Sequence, residues 1–177
     1  MRKKKFYYLL LKEDESGVLY APKGTDTRFG ERILPVEGYE NITFELKNGT
    51  YAPFMSSNVI AYFANEELRM LLEENLPKDF PLEFLPVKII SREYGDRLYY
   101  LIHFTTVFDV IDEEHSKRIP STGDITVPCI DYEKAKDLDF FNCIARSGSF
   151  IISDKIKKLM KEKGLDIGIQ FWEWKSY

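Results

Sequence analysis

Residues 150–171, FIISDKIKKLMKEKGLDIGIQF, restrict the possible folds more than any other part of the chain. An apolar run leads into Ser153, a residue type that caps helix N-termini. Apolar residues follow at the third, sixth and seventh positions after it, which is the spacing of one helix face. Gly164 predicts the end of this helix, and the alternating apolar residues after it predict a strand. The segment therefore predicts a strand, a capped helix and a second strand.

The same arrangement occurs earlier in the chain, beginning at Asn65. The apolar residues have the same offsets from both caps: Leu68, Leu71, Leu72 and Ile156, Leu159, Met160. An internal duplication and the repeated use of a common supersecondary unit both explain this similarity. In either case we expect the two helices to lie against one sheet, with both apolar sets buried.

Three further patterns predict strands. Residues 98–111 form the longest β-like run and carry apolar residues on both parities, which indicates a central strand covered on both faces. Residues 82–90 predict another strand, in which Pro86 requires an edge or a bulge. Asn48 and Gly49 follow an alternating run and predict a type I′ hairpin.

These patterns predict an α+β fold: a mixed or mainly antiparallel sheet with a long central strand and two capped helices packed on it. A chain of 177 residues is normally one domain, so we assign residues 1–177 to a single α+β domain. Residues 1–56 would supply an N-terminal strand, an irregular excursion and a hairpin, and residues 57–177 the remainder. The apolar stretch at 6–11 is too short for a signal peptide and leads directly into charge, so we expect a cytoplasmic protein.

The overall charge excludes some classes of partner. The chain has 25 Lys and Arg against 29 Asp and Glu, a net charge of −4. A nucleic-acid-binding protein would show a basic stripe, so we expect no nucleic acid, and an acidic chain suits a partner with a basic surface. No stretch is long enough to span a membrane, so we expect no membrane partner. Cys129 and Cys143 form no CxxC motif, and a reduced pair is favoured over a disulfide.

The sequence offers few groups for catalysis. His103 lies in the middle of an apolar run, where a core position is favoured over a general base, and His115 lies in a polar turn. One acidic cluster could in principle bind a metal: Asp109, Asp112, Glu113 and Glu114. We favour a helix start, with Asp112 as the N-cap and the two glutamates in the first turn. We therefore predict no catalytic residue, no metal and no cofactor.

Two small groups remain as candidates for binding a partner. Asp112, Glu113 and Glu114 form the densest acidic run in the chain. Trp172 and Trp174 share one face of the last predicted strand, where packing in the core or at its rim is favoured over a ligand-stacking role. These five residues are our candidate partner-binding set.

Three segments together resemble a known family. Residues 99–116, YYLIHFTTVFDVIDEEHS, form a tyrosine-rich run entering an aspartate-to-serine turn, from Asp112 to Ser116. Residues 140–171 contain an apolar strand, a Ser-Asp cap and a glycine-containing link to a Gly-hydrophobic-x-Phe motif. Residues 65–89 match the helix–strand element that comes earlier in the family's pattern. Between residues 57 and 174 the chain thus resembles the bacterial immunity-protein family of polymorphic toxin systems, formerly a domain of unknown function.

The resemblance implies a function without catalysis: binding and neutralising a cognate bacterial toxin in the cytoplasm. Its motifs specify a fold rather than an active site. The link before Gly168 departs from the family pattern, because Asp166 and Ile167 stand where a tighter connection is expected. A small-molecule-binding or enzymatic domain that uses the acidic cluster near Asp112 is the alternative, and a plain assembly or adaptor module is a third possibility.

Overall fold

The fold is built mainly from β-strands, and the predicted α+β class is wrong. The computed structural model describes residues 3–12, 15–26, 38–143 and 146–177. Strand accounts for 40% of it and helix for 17%, and the central feature is a closed six-stranded mixed β-barrel. A second sheet of four strands packs against the barrel, and two of the helices contribute side chains to the same apolar cluster.

Six strands close the barrel in the order β2-β3-β6-β7-β5-β4. Their bounds are β2 Val18–Tyr20, β3 Thr43–Asn48, β4 Phe54–Ser57, β5 Tyr62–Ala64, β6 Leu82–Ile90 and β7 Arg97–Phe104. Side chains fill the interior: the rings of Phe44 and Phe63 meet edge to face at 4.7 Å. The hydroxyl of buried Tyr99 donates to the carbonyl of Ala52 at 2.9 Å. The barrel is therefore a packed core and not a ligand-binding cavity.

The four-stranded sheet is antiparallel, in the order β10-β11-β1-β12. Its strands are β1 Phe6–Leu11, β10 Phe140–Cys143, β11 Arg146–Ser153 and β12 Ile169–Trp174. One face packs on the helices and the barrel. The other face is covered by the segment between β7 and β10. That segment contains a small hairpin and a short helix: β8 Lys117–Arg118, β9 Ile125–Val127 and α2 Tyr132–Ala135.

The two long helices, α1 (Glu66–Asn75) and α3 (Asp154–Glu162), pack on different sheets. Helix α1 contacts β5 and β7 of the barrel, α3 contacts β1 and β11, and the helices touch each other. The prediction that both lie on one sheet is wrong. The predicted apolar sets do face the core, although Leu159 is only partly buried. None of the described helices is long and apolar enough to cross a membrane.

The repeated pattern in the sequence corresponds to two units of the same topology. In the first, α1 connects β5 to β6, and these strands flank β7 with antiparallel pairing on both sides. In the second, α3 connects β11 to β12, which flank β1 in the same way. Each helix thus links two parallel strands that are separated by a third strand. The third strand is β7 in the first unit and β1 in the second, and the two units belong to different sheets.

The predicted long central strand is also wrong. Strand β7 ends at Phe104, where the backbone N–H of Thr105 bonds to the carbonyl of Pro81. The chain then forms only isolated bridges, at Phe108 and Ile111. Strand β6 has the predicted bounds, but it is not an edge strand, because it pairs with β3 on one side and β7 on the other. Pro86 is tolerated there because β3 pairs only with residues 88–90 of β6, which leaves one side of Pro86 without a ladder partner.

The hairpin predicted at Asn48-Gly49 does not form. Strand β3 pairs with β2 and β6, while β4 pairs with β2 and β5, so β2 lies between the two expected partners. Gly49 has φ 78°, and a Cβ there would lie 2.6 Å from the Cα of Gly17. A glycine is required for two reasons: the backbone has a positive φ, and a second backbone segment crosses it at this point. The preceding excursion supplies β2, and its residues 27–37 lie outside the described part of the chain.

Both predicted helix caps are confirmed. The side chain of Asn65 accepts a hydrogen bond from the N–H of Leu68, and Ser153 Oγ accepts from the N–H of Ile156 at 3.4 Å. Gly164 adopts φ 67° after the end of α3, as its position predicted. Ser153 is fully buried and also bonds to the carboxylate of Asp139. The start of α3 is therefore fixed to the chain that precedes β10.

Replacing the cap of α3 should lower stability. In Ser153→Ala the N–H of Ile156 loses its acceptor, so we expect the free energy of unfolding to fall by about 1–2 kcal/mol. Urea melts of both proteins measure the change. Ser121→Ala, in an exposed turn, is the control and should unfold like the wild type. Equal midpoints for wild type and Ser153→Ala would contradict the capping role.

Asp139 should make stability depend on pH. Burial raises the pKa of this carboxyl, but bonds from Ser153, Lys4 and Lys155 outweigh it and hold the pKa below its ordinary value. The carboxylate therefore stabilises the fold at neutral pH, and the contribution is lost as the pH falls through its folded pKa. We expect Asp139→Asn to cost about 2 kcal/mol at pH 7 and less near pH 3. Melts at both values check this, with exposed Asp137→Asn as the control.

Candidate functional site

The acidic run forms a turn and not the predicted start of a helix. Asp112 Oδ1 accepts from the backbone N–H groups of Glu114 and His115, at 3.0 and 3.1 Å, and Oδ2 lies 2.7 Å from Nδ1 of His115. Partial burial raises the pKa of Asp112, but the bonds from His115 and Glu114 outweigh it and lower the pKa. Asp112 therefore caps a turn that leads into β8, and its carboxylate is occupied within the chain.

The neighbouring acids are partly neutralised. Glu113 forms a two-pronged ion pair with Arg118, with nitrogen–oxygen distances of 2.7–3.0 Å. This bond lowers the pKa of Glu113. Asp109 lies 3.4 Å from Nζ of Lys134. Among the described residues, Glu114 is the member of the predicted acidic set without an ion pair, so the turn presents much less free negative charge than its sequence implied.

The two tryptophans of β12 differ greatly in exposure. Both lie on the same face of the strand, as alternation predicts. Trp174 is 6% exposed and stacks on Tyr8, with ring centroids 5.6 Å apart. Trp172 is 58% exposed, more than the other large apolar residues of the described chain. Only Trp172 is therefore available to a partner, while Trp174 belongs to the core under the sheet.

The fold brings the acidic turn and Trp172 together. Residues 110–112 pair with residues 129–131 through bonds such as Asp112 N–H to Cys129 carbonyl, 2.9 Å. Ile130 in turn bonds to the backbone of Lys175 and Tyr177, at 2.8 and 3.0 Å. The ring of His115 consequently stacks on Tyr177 at 4.1 Å, with an interplanar angle of 9°. The turn and the end of β12 are parts of one surface.

A cleft of about 350 Å³ lies at this junction. We call it the β12 cleft. One wall is the end of β12 with Trp172, and the opposite wall is the β9 segment from Thr126 to Cys129. The stacked rings of His115 and Tyr177 line it as well. Of the five candidate residues, Trp172 and Trp174 line the cleft directly, and the acidic turn lies next to it.

The charges in the β12 cleft are mainly positive, although the chain is acidic. Lys117 and Lys175 line it, both are exposed, and neither has an ion-pair partner among the residues that the structure describes. Glu173 also lines the cleft but is bound by Lys5 at 2.8 Å. The cleft therefore combines exposed aromatic surface with two lysines free of carboxylate partners.

Other reactive side chains are held in structural roles. Both cysteines are buried, and neither forms a disulfide. Burial and the nearby Asp112 raise the pKa of Cys129, so its thiol stays protonated and weakly nucleophilic at neutral pH. His103 is buried as predicted, with Nδ1 3.1 Å from a carboxylate oxygen of Glu83. No group of three or more potential metal ligands occurs within the described ranges.

Sequence reasoning missed several residues of this cleft. Lys117 and Val127 lie on a hairpin with no distinctive pattern, and Tyr177 stands beyond the last strand. They meet Trp172 only because Ile130 pairs with the end of the chain, 45 or more residues later. A local pattern carries no signal for such a contact. Lys175 follows the last residue of a paired strand, and no sequence pattern indicated that it would line a cleft.

Substitutions of the two tryptophans should have opposite consequences. We expect Trp174→Ala to cost about 3 kcal/mol, because it empties a packed core site, and Trp172→Ala to stay within about 0.5 kcal/mol of wild type. Urea melts measure both. Acrylamide should quench Trp172 in Trp174→Phe and should barely quench Trp174 in Trp172→Phe. Equal quenching of the two single-tryptophan proteins would contradict the assigned exposures.

No family model matches the chain, and no curated protein matches it. The resemblance to immunity proteins therefore rests on the motifs quoted above, and any function must be argued from the geometry of the β12 cleft and its surroundings.

Proposed function

We propose that this protein is an immunity protein, which binds a cognate bacterial toxin in the cytoplasm and neutralises it without catalysis. The observation that carries the proposal is the position of exposed Trp172 beside the acidic turn, at the edge of the four-stranded sheet. Tryptophan is enriched among the residues that dominate binding at the centre of protein interfaces, and the rim around such a centre is polar. The resemblance of residues 57–174 supplies the class of partner.

The framework around the β12 cleft suits an inhibitor. Strand β12 is hydrogen-bonded along its length to β1, and the residues after it are bonded to Ile130. A surface held in this way loses little conformational freedom on binding, which favours affinity. An inhibitor of this kind acts by covering its target, so it needs complementary shape and charge rather than a reactive group.

Charge would assist the encounter with the toxin. The chain carries a net charge of −4, and exposed Glu114 lies beside the cleft. Toxins that attack nucleic acids carry basic surfaces, so opposite overall charges would accelerate association. The contribution falls with salt, because exposed charges are screened over about 10 Å at 0.1 M.

A small-molecule-binding domain is the alternative that one observation favours. The volume of the β12 cleft lies within the range of ligand sites, and its walls carry aromatic rings. The version that places an enzymatic site on the acidic cluster has less support, because Asp112 is occupied by its own turn and Glu113 by Arg118.

Survival of toxin-producing cells tests the proposal. We would co-express this protein with the toxic domain expected in a neighbouring gene, and score growth. Wild type should protect, and Trp172→Ala should weaken binding about 30-fold, as for an interface hot spot. Leu98→Ala is the matched control, since Leu98 is 56% exposed on the barrel. Absence of protection by wild type, or equal affinity of Trp172→Ala and wild type, would count against the proposal.

Association kinetics test the role of the acidic turn. Glu113→Lys/Glu114→Lys should slow association with the toxin at low salt and have less effect at high salt. Glu67→Lys/Glu74→Lys changes the net charge equally on the exposed side of α1 and serves as the control. If both double variants slow association equally, only net charge matters and the turn is not part of the interface.

A further inference from the structure

We propose that the β12 cleft binds an extended segment of the partner protein that carries carboxylate groups around an apolar side chain. The segment would lie along the outer edge of β12. This inference rests on the proposed function and adds the chemistry by which the partner is recognised. Two electrostatic effects would then act over different distances. The net negative charge of the chain would attract a basic protein at long range, and the lysines of the cleft would recognise an acidic segment on contact.

The outer edge of β12 is open among the described residues. This strand is last in the order β10-β11-β1-β12, and no described strand pairs with its outer side. The N–H of Lys12 bonds to the carbonyl of Gly168, so the backbone groups of even-numbered residues in β12 point toward β1. Those of Phe171 and Glu173 therefore point outward. Among the described residues they have no backbone partner, so they can pair with a further strand.

The β12 cleft lies beside that edge. Lys175 and Tyr177 use their outward backbone groups to bond Ile130, so the edge is covered just past the strand. The cleft begins where this pairing ends, between β12 and the β9 segment. A paired strand lies about 4.8 Å from its neighbour, so an extended segment entering here would be flanked by both walls. This is the geometry of strand addition to a sheet edge.

The side chains of the cleft combine apolar and basic groups. Trp172, Val127 and Tyr177 are each about half exposed and together offer an apolar surface for one large side chain. Lys117 and Lys175 stand beside it without carboxylate partners among the described residues. Because side chains alternate along a strand, a segment with carboxylates flanking an apolar residue would satisfy both features.

A protein segment suits the site better than a nucleic acid. The acidic turn adjoins the cleft and the chain is negative overall, so a long polyanion would meet repulsion on either side. A short segment with two or three carboxylates needs only the two lysines. The outward N–H and C=O groups of Phe171 and Glu173 match a peptide backbone, which a nucleic acid lacks.

A peptide pair tests the site directly. The probes are acetyl-Val-Glu-Phe-Glu-Val-Glu-amide and the same peptide with lysine in place of glutamate. Fluorescence of Trp172 should shift to the blue and saturate with the glutamate peptide only. Lys117→Ala/Lys175→Ala should weaken that binding about tenfold, as expected from two lost ion pairs. Lys23→Ala/Lys78→Ala removes two exposed lysines elsewhere and should leave it unchanged.

Crosslinking in the toxin complex separates this inference from the proposed function. Trp172→p-benzoylphenylalanine should crosslink to a toxin segment rich in Asp and Glu, and the same substitution at Leu98 should not crosslink. If a complex forms but position 172 crosslinks to a basic segment or to nothing, the inference fails while the function stands. If no complex forms, the function fails, and the peptide titration decides the inference. No saturable shift, or an equal response to both peptides, overturns it.

Discussion

Four phenylalanine rings form the contact on which the whole arrangement depends. Phe54 and Phe104 come from the barrel, and Phe140 and Phe150 from the four-stranded sheet, with ring centroids 5.3–5.8 Å apart across the junction. Each ring buries a large apolar area, and tilted or edge-to-face packing adds to it. Both helices close over this layer. The outer side of the barrel and the inner face of the four-stranded sheet thus share one apolar cluster, which is separate from the packed interior of the barrel.

The sequence predicted the elements that neighbouring residues specify, and it failed to predict the pairing of strands that lie far apart in the chain. Cap residues and helical spacing identified α1 and α3, and the alternation gave the bounds of β6, because these signals lie within ten residues. The barrel was not predictable, since β2 inserts between β3 and β4, and no local pattern states which strand pairs with which. Strand β1 likewise finds its partners more than 140 residues later, at β11 and β12.

The candidate site shows the same division. Trp172 stood out as a tryptophan on a predicted strand, but its exposure depends on where the covering segment stops, just short of that residue. The acidic run looked like free charge because Arg118, which binds Glu113, follows it in a hairpin that the sequence did not indicate. The role expected for these charged residues therefore changed once their ion-pair partners were known. Five residues in a candidate set reduced to one available aromatic and one unpaired carboxylate.

The position of the β12 cleft follows from how the edge of the sheet is protected. An open edge invites pairing with any other chain, and proteins usually cover or charge it. Here Ile130 covers the edge beyond Trp174, while the charged side chains of Lys117 and Lys175 lie beside the part that stays open. The same lysines that would repel a basic strand would admit an acidic one. Protection against unselective pairing and selection of one partner are then two effects of a single arrangement of charge.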